Sequence, residues 1–227
     1  NCDVANPPTP PALMLLLPFP LSYNLMVVVH VPLGATFLYL LARRWTLSPG
    51  GALLAAVAFM FNGYAVSTVA LTTLLKGLTW TPLAVLCFDM YLGGGGAGWI
   101  ALSALALAVA GAGTDPQYVM FAGGLGALAP LVRPHASRRS RAATLGGIAA
   151  VGALAGLVLA YQYLPLAELI GHSDRQRGLG ATEVSQFPVQ PLWMLSTLVP
   201  VAFPDAEDPR FLLSFPDGYQ PFYPDLY

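Results

Sequence analysis

The chain has 227 residues, of which 56% are hydrophobic and only 9% charged, with a formal net charge of −1 and a mean hydropathy of +0.64. Soluble domains carry about 25% charged residues, so a soluble globular fold is excluded: too few charges exist to cover its surface. The net charge says nothing about nucleic acid, but no basic run with interleaved aromatics is present, and no nucleic-acid partner is expected. Several apolar runs reach roughly 17–25 residues, the length that crosses a hydrocarbon core about 30 Å thick, and they predict an all-α, polytopic transmembrane helical bundle of about six spans set in a lipid bilayer.

Residues 1–20 contain ANPPTPPALMLLLPFP. Proline every few residues removes helix hydrogen bonds, which predicts an interfacial or re-entrant segment; such backbone is tolerated at membrane depth only against protein or water. A first span is predicted at 21–45, ending in Arg43 and Arg44. A second is predicted at 48–70, with Ser48 as N-cap and Pro49 at the first helical position. The third, 74–92, carries Pro82; the fourth is 98–113, the fifth 117–132 and the sixth 144–170. Glycine and alanine in the last three suit close helix packing in lipid. GGGG at 93–96 reads as a tight flexible turn, since it lacks the spaced Lys-Ser/Thr of a phosphate loop.

Arginine orients the chain. Arg43 and Arg44 mark one inside loop, and Arg133, Arg138, Arg139 and Arg141 mark another. With six spans both fall on one side, together with YLGGGGAGW. The GTDPQ turn and everything after residue 170 then face outside. Lys76 is placed near the outer end of its helix, snorkelling to the interface, and Asp89 near the inner interface. Three parts result: 1–20, a bundle over 21–170, and an extracytoplasmic tail over 171–227. In the tail QFPVQPLWMLSTLVPVAF reads as an amphipathic interfacial helix.

The outward-facing polar set is Asp115, Gln117, Tyr118, Gln162, Glu168, His172, Asp174, Arg175 and Arg177. Asp115 before Pro116 suits a helix N-cap, with Gln117 and Tyr118 presented by the first turn. Glu168 suits a pairing with Arg175 or Arg177, and an arginine fork suits phosphate. Within the spans, His30 reads as an interhelical hydrogen-bonding residue, and Asn24 and Asn62 as packing residues between helices. His30, His135 and His172 are dispersed and Cys2 and Cys87 stand alone, so no metal-ligand spacing is present. Cys87 lies in an apolar run, which predicts a free thiol. No cofactor motif is found, and no nucleophile triad.

The order of motifs goes further. ANPPTPPALMLLLPFPLSYNLMVVVHVPLGATFLYLLARRWTLSPGGALLAAVAFMFNGYAVS, then WTPLAVL, AGTDPQY, YQYLPLAELIGHSDRQRGLG and FPVQPLWMLSTLVPVAF follow one another in an arrangement that resembles the YfhO-like family of bacterial membrane proteins. That family is similar to the membrane-embedded GT-C glycosyltransferases. The resemblance implies a multi-pass protein of the bacterial cytoplasmic membrane, a polyprenyl-phosphate-sugar donor, a cell-envelope acceptor and an outer-face site. In such a site Arg175 and Arg177 would bind donor phosphate, while Asp115, Gln117 and Glu168 would shape the acceptor pocket.

Two departures stand out. Family members are several times longer, and the outer loop whose acidic residue is expected to act as base would precede residue 1; Asp3 is misplaced for that role. Glycosyl transfer needs such a base to deprotonate the acceptor. The expectation is a glycosyltransferase-like chain seen in part. The alternative is a non-catalytic accessory subunit whose Gly- and Ala-rich helices pack against other membrane subunits. A transporter has only its Pro- and Gly-broken helices in its favour.

Overall fold

The computed structural model describes residues 17–45, 47–69, 72–112, 116–132 and 139–172. Among these, all regular structure is helical: α1 (Phe19–Arg44), α2 (Pro49–Met60), α3 (Gly63–Ser67), α4 (Thr72–Leu92), α5 (Gly98–Gly111), α6 (Pro116–Val132) and α7 (Arg141–Gly171). Each predicted span contains a helix, and the all-α expectation holds. The Pro-rich segment of 1–16 and the tail beyond 172 lie outside the described residues.

The helix ends follow local chemistry. Pro18 precedes α1. Ser48 caps α2 as the sequence predicts, its Oγ accepting the Gly51 N–H at 3.1 Å, with Pro49 at the first helical position. The predicted second span does not run through. α2 stops at Met60, and Asn62 caps the short α3: its Oδ1 accepts the Ala65 N–H at 2.8 Å while its Nδ2 donates to the Phe59 carbonyl at 2.8 Å. Asn62 is exposed and serves this turn, so its expected role between helices is corrected. At about 1.5 Å per residue, α2 falls well short of a bilayer core.

α4 is the centre of the first of two compact units, Asn1–Ala167. It packs against α1, α5 and α6, and α1 also packs on α2. Thirteen of its 21 residues are buried. Small residues set the spacing. A Cβ on Gly34 of α1 would collide with the Met60 sulfur and press on the Thr79 backbone. On the other side Ser103 of α5 donates to the Ala84 carbonyl of α4 at 2.8 Å. α7 docks through a sparse seam. Gly147 lies against Tyr91 and Phe88, and Leu159 lies against Gly111. Tyr163 Oη donates to the Gly111 carbonyl at 3.3 Å.

α1 and α7 are long and apolar enough to cross a membrane. α7 buries only Gly147, Ala155 and Leu159 among its 31 residues, while Leu157 is 74% exposed. The second unit runs from Glu168 to Tyr227. Its described part is the last turn of α7, closed where the His172 N–H meets the Leu169 carbonyl at 3.1 Å.

Candidate functional site

Three polar or open features stand out among the described residues. The first is the arginine-rich end of the bundle. Arg44, in the last turn of α1, donates through Nε to Asp89 Oδ2 at 2.8 Å. Asp89 is 4% exposed, so this carboxylate is held inside the bundle and does not reach the interface as the sequence reading expected. Beyond it, α4 ends in a Schellman turn. The Gly95 N–H reaches the Met90 carbonyl, the Gly94 N–H reaches the Tyr91 carbonyl, and Gly94 has φ of 101°. A side chain at Gly93 would overlap the Arg44 guanidinium, and one at Gly95 would strike Trp99. The glycine run is the tight turn that was expected, with Arg44 and Trp99 packed closely against it. Arg139 completes it, donating through Nη2 to the Gly95 carbonyl at 2.6 Å and through Nε to the Tyr91 carbonyl at 3.3 Å. Its guanidinium lies 4.5 Å from the Tyr91 ring centroid. Tyr91 Oη in turn donates to the Ala143 carbonyl of α7 at 3.0 Å. Arg44, the glycine turn and Arg139, which the sequence put on one side, do meet.

The second feature is polar burial in the other half of α4. Lys76 is 1% exposed, which corrects its expected position at the interface: the helices around α4 cover it completely. Thr79, one turn on, is also fully buried, and its Oγ1 donates to the His30 carbonyl of α1 at 3.2 Å. The His30 ring does not bridge helices as expected. Its Nδ1 hydrogen-bonds the Met26 carbonyl of its own helix at 2.8 Å. Tyr23 Oη donates to the Val69 carbonyl at 2.7 Å, tying α1 to the chain after α3. A buried ammonium offers positive charge away from water, which makes this part of the bundle a candidate functional region. Its signal was legible: TTLLKGLTWTPLAVLCFDMYL carries Lys, several Thr and Asp, and a span of that composition needs protein on every side.

The third feature is a half-open cleft of about 320 Å³ between α4, α5, α6 and α7. Its walls are apolar or glycine, including Phe88, Leu107, Ala122, Gly124, Ile148 and Gly152. The hydroxyl of Ser103 also lines it but is engaged with Ala84.

The sequence-predicted site residues are not gathered among the described residues. Asp115, Arg175 and Arg177 lie outside them, as do Asp174, Arg133, Arg138, His135 and Cys2. Gln117 and Tyr118 fall in the first turn of α6, where only the backbone is described. Glu168 and His172 are exposed in the second unit. Asn24 is exposed on α1, and Cys87 is a buried free thiol. Among the described residues no group of three His, Cys, Asp or Glu is placed to hold a metal ion. The chain matches no protein-family model, no curated protein and no solved structure.

Proposed function

We propose that this protein is a multi-pass protein of the bacterial cytoplasmic membrane, with its arginine-rich end inside, and that it acts as a YfhO-like, membrane-embedded glycosyltransferase. One observation carries the membrane reading: the bundle exposes many large apolar side chains while burying a lysine, an aspartate and several hydroxyls within its apolar core. Lys76, Thr79, Asp89 and Ser103 are buried, while Met120, Phe121, Leu145, Leu157 and Leu164 are each more than 60% exposed. Water reverses that preference and hydrocarbon enforces it. The orientation rests on Arg43, Arg44, Arg139 and Arg141 at one end, against the usual enrichment of Lys and Arg in cytoplasmic loops.

The activity rests on the resemblance and on the outward polar set. In this reading Arg175 and Arg177 grip the donor phosphate as a fork of charged donors. Asp115, Gln117 and Glu168 shape the acceptor side. The test is donor binding by the whole gene product in proteoliposomes, with a polyprenyl-phosphate sugar as probe. Arg175→Ala with Arg177→Ala should abolish binding; unchanged transfer by that double variant would remove the phosphate assignment. Orientation is tested separately in intact cells, on a Cys2→Ser background, with a membrane-impermeant maleimide. His172→Cys should label directly and Gly96→Cys only after permeabilisation, since Gly96 is exposed and a side chain there meets open space.

A further inference from the structure

We infer that the cleft between α4, α5, α6 and α7 is a binding site for one acyl chain of an anionic glycerophospholipid, whose phosphate is held by Arg141. The inference rests on the membrane reading above and adds a ligand at a place remote from the proposed donor site.

The cleft's size and lining exclude most other occupants. About 320 Å³ is at the small end of ligand-sized cavities. Water has nothing to bond there, because the lining is apolar and the Ser103 hydroxyl is already donated to Ala84. A bundle in hydrocarbon leaves a half-open apolar cleft to the solvent at hand, which is a lipid chain. The glycines keep it open. A Cβ built on Gly124 of α6 or on Gly152 of α7 meets no atom within 4 Å.

Charge supplies the headgroup. Along α7, residues 141, 148 and 152 fall on one stripe, spaced by seven and by four. Ile148 and Gly152 line the cleft. Arg141 therefore begins the same stripe, about 10 Å along the axis from Ile148. Its side chain is exposed and engages no other described residue. It also lies two residues from Arg139, which caps the neighbouring turn. A chain lying along this stripe puts its phosphate beside a guanidinium, the pairing that forked donors favour. An uncharged headgroup forgoes it.

The experiment is native mass spectrometry of the full-length protein from nanodiscs of phosphatidylcholine doped with phosphatidylglycerol. The wild type should retain one phosphatidylglycerol in preference to phosphatidylcholine. Gly152→Phe fills the cleft and should lower retention by about tenfold. Gly156→Phe is the control for folding, because it projects from α7 into open space outside the cleft. It should retain lipid as the wild type does. Arg141→Gln should keep the chain but reduce the preference for phosphatidylglycerol by about fivefold, the worth of one arginine beside an anionic surface.

Equal retention by Gly152→Phe and wild type overturns the site. So does retention blind to the headgroup in the wild type. A cross-linked dimer that disappears in Gly152→Phe while lipid retention is unchanged assigns the cleft to a second copy instead. Carbonate extraction of cell membranes carrying the wild-type protein separates the two readings: release of the chain removes the membrane reading itself, whereas a carbonate-resistant chain that retains no lipid removes only the site.

Discussion

α4 and α7 are both helices long enough to matter to a membrane protein, and they treat their surroundings in opposite ways. α4 buries thirteen of 21 residues and carries Lys76, Thr79, Asp89 and several further hydroxyls. α7 buries three of 31, and between Arg141 at its start and Glu168 near its end the exposed side chains are mostly leucine, valine and alanine. In water the more apolar helix is the one that is covered. Here it is the one left outside. The difference is the one the proposed membrane setting predicts, in which a helix rich in polar groups is covered and an apolar one is not. Contact with protein goes to the helix that needs its polar groups satisfied.

The sharpest way to break this comparison is Lys76, the single lysine of the chain. A water-soluble amine reagent should leave it unmodified in the folded protein and modify it fully after denaturation, as read by peptide mass mapping. Rapid modification in the native state would return Lys76 to the interface and α4 to the periphery.

The next effect is at the other end of α4. Arg44→Ala leaves the Asp89 carboxylate buried without its guanidinium and should cost about 3 kcal/mol in detergent unfolding. Asp89→Asn should cost less, about 1 kcal/mol, because Arg44 is 39% exposed and its charge can turn to water. Equal losses would mean that the pair is solvated rather than interior.

The sparse seam of α7 gives a smaller contrast within one helix. Gly147→Leu drives a side chain into Tyr91 and Phe88 and should destabilise by about 2 kcal/mol. Gly156→Leu adds its side chain to open space and should be close to neutral in the same assay. The smallest effect is Tyr91→Phe, which removes the bond to the Ala143 carbonyl and should lower stability by about 1 kcal/mol. A larger loss would show that α7 depends on that hydroxyl more than on its packed glycine.

Helix existence was legible because hydrophobic runs with no competing period leave the backbone one way to satisfy itself in an apolar medium. The Ser48-Pro49 start was legible because capping is a local event. The break in the second span is encoded in Asn62-Gly63, a cap signal that the length of the surrounding apolar run masks. The glycine turn was placed correctly along the chain. Its contacts come from Arg44, Trp99 and Arg139, residues remote from it or on the following helix.

The sequence by itself determined that this chain is helical and apolar, and that six of its nine arginines cluster at two connections. Composition and local bonding suffice for those properties. Only the tertiary structure decided that α4 lies at the centre, that Asp89 and Lys76 are interior, and that a glycine-walled cleft stands open beside α7. Those outcomes depend on which helix faces which, and in a bundle of uniformly apolar helices that choice is set by a few small residues and buried charges rather than by any periodic pattern along the chain.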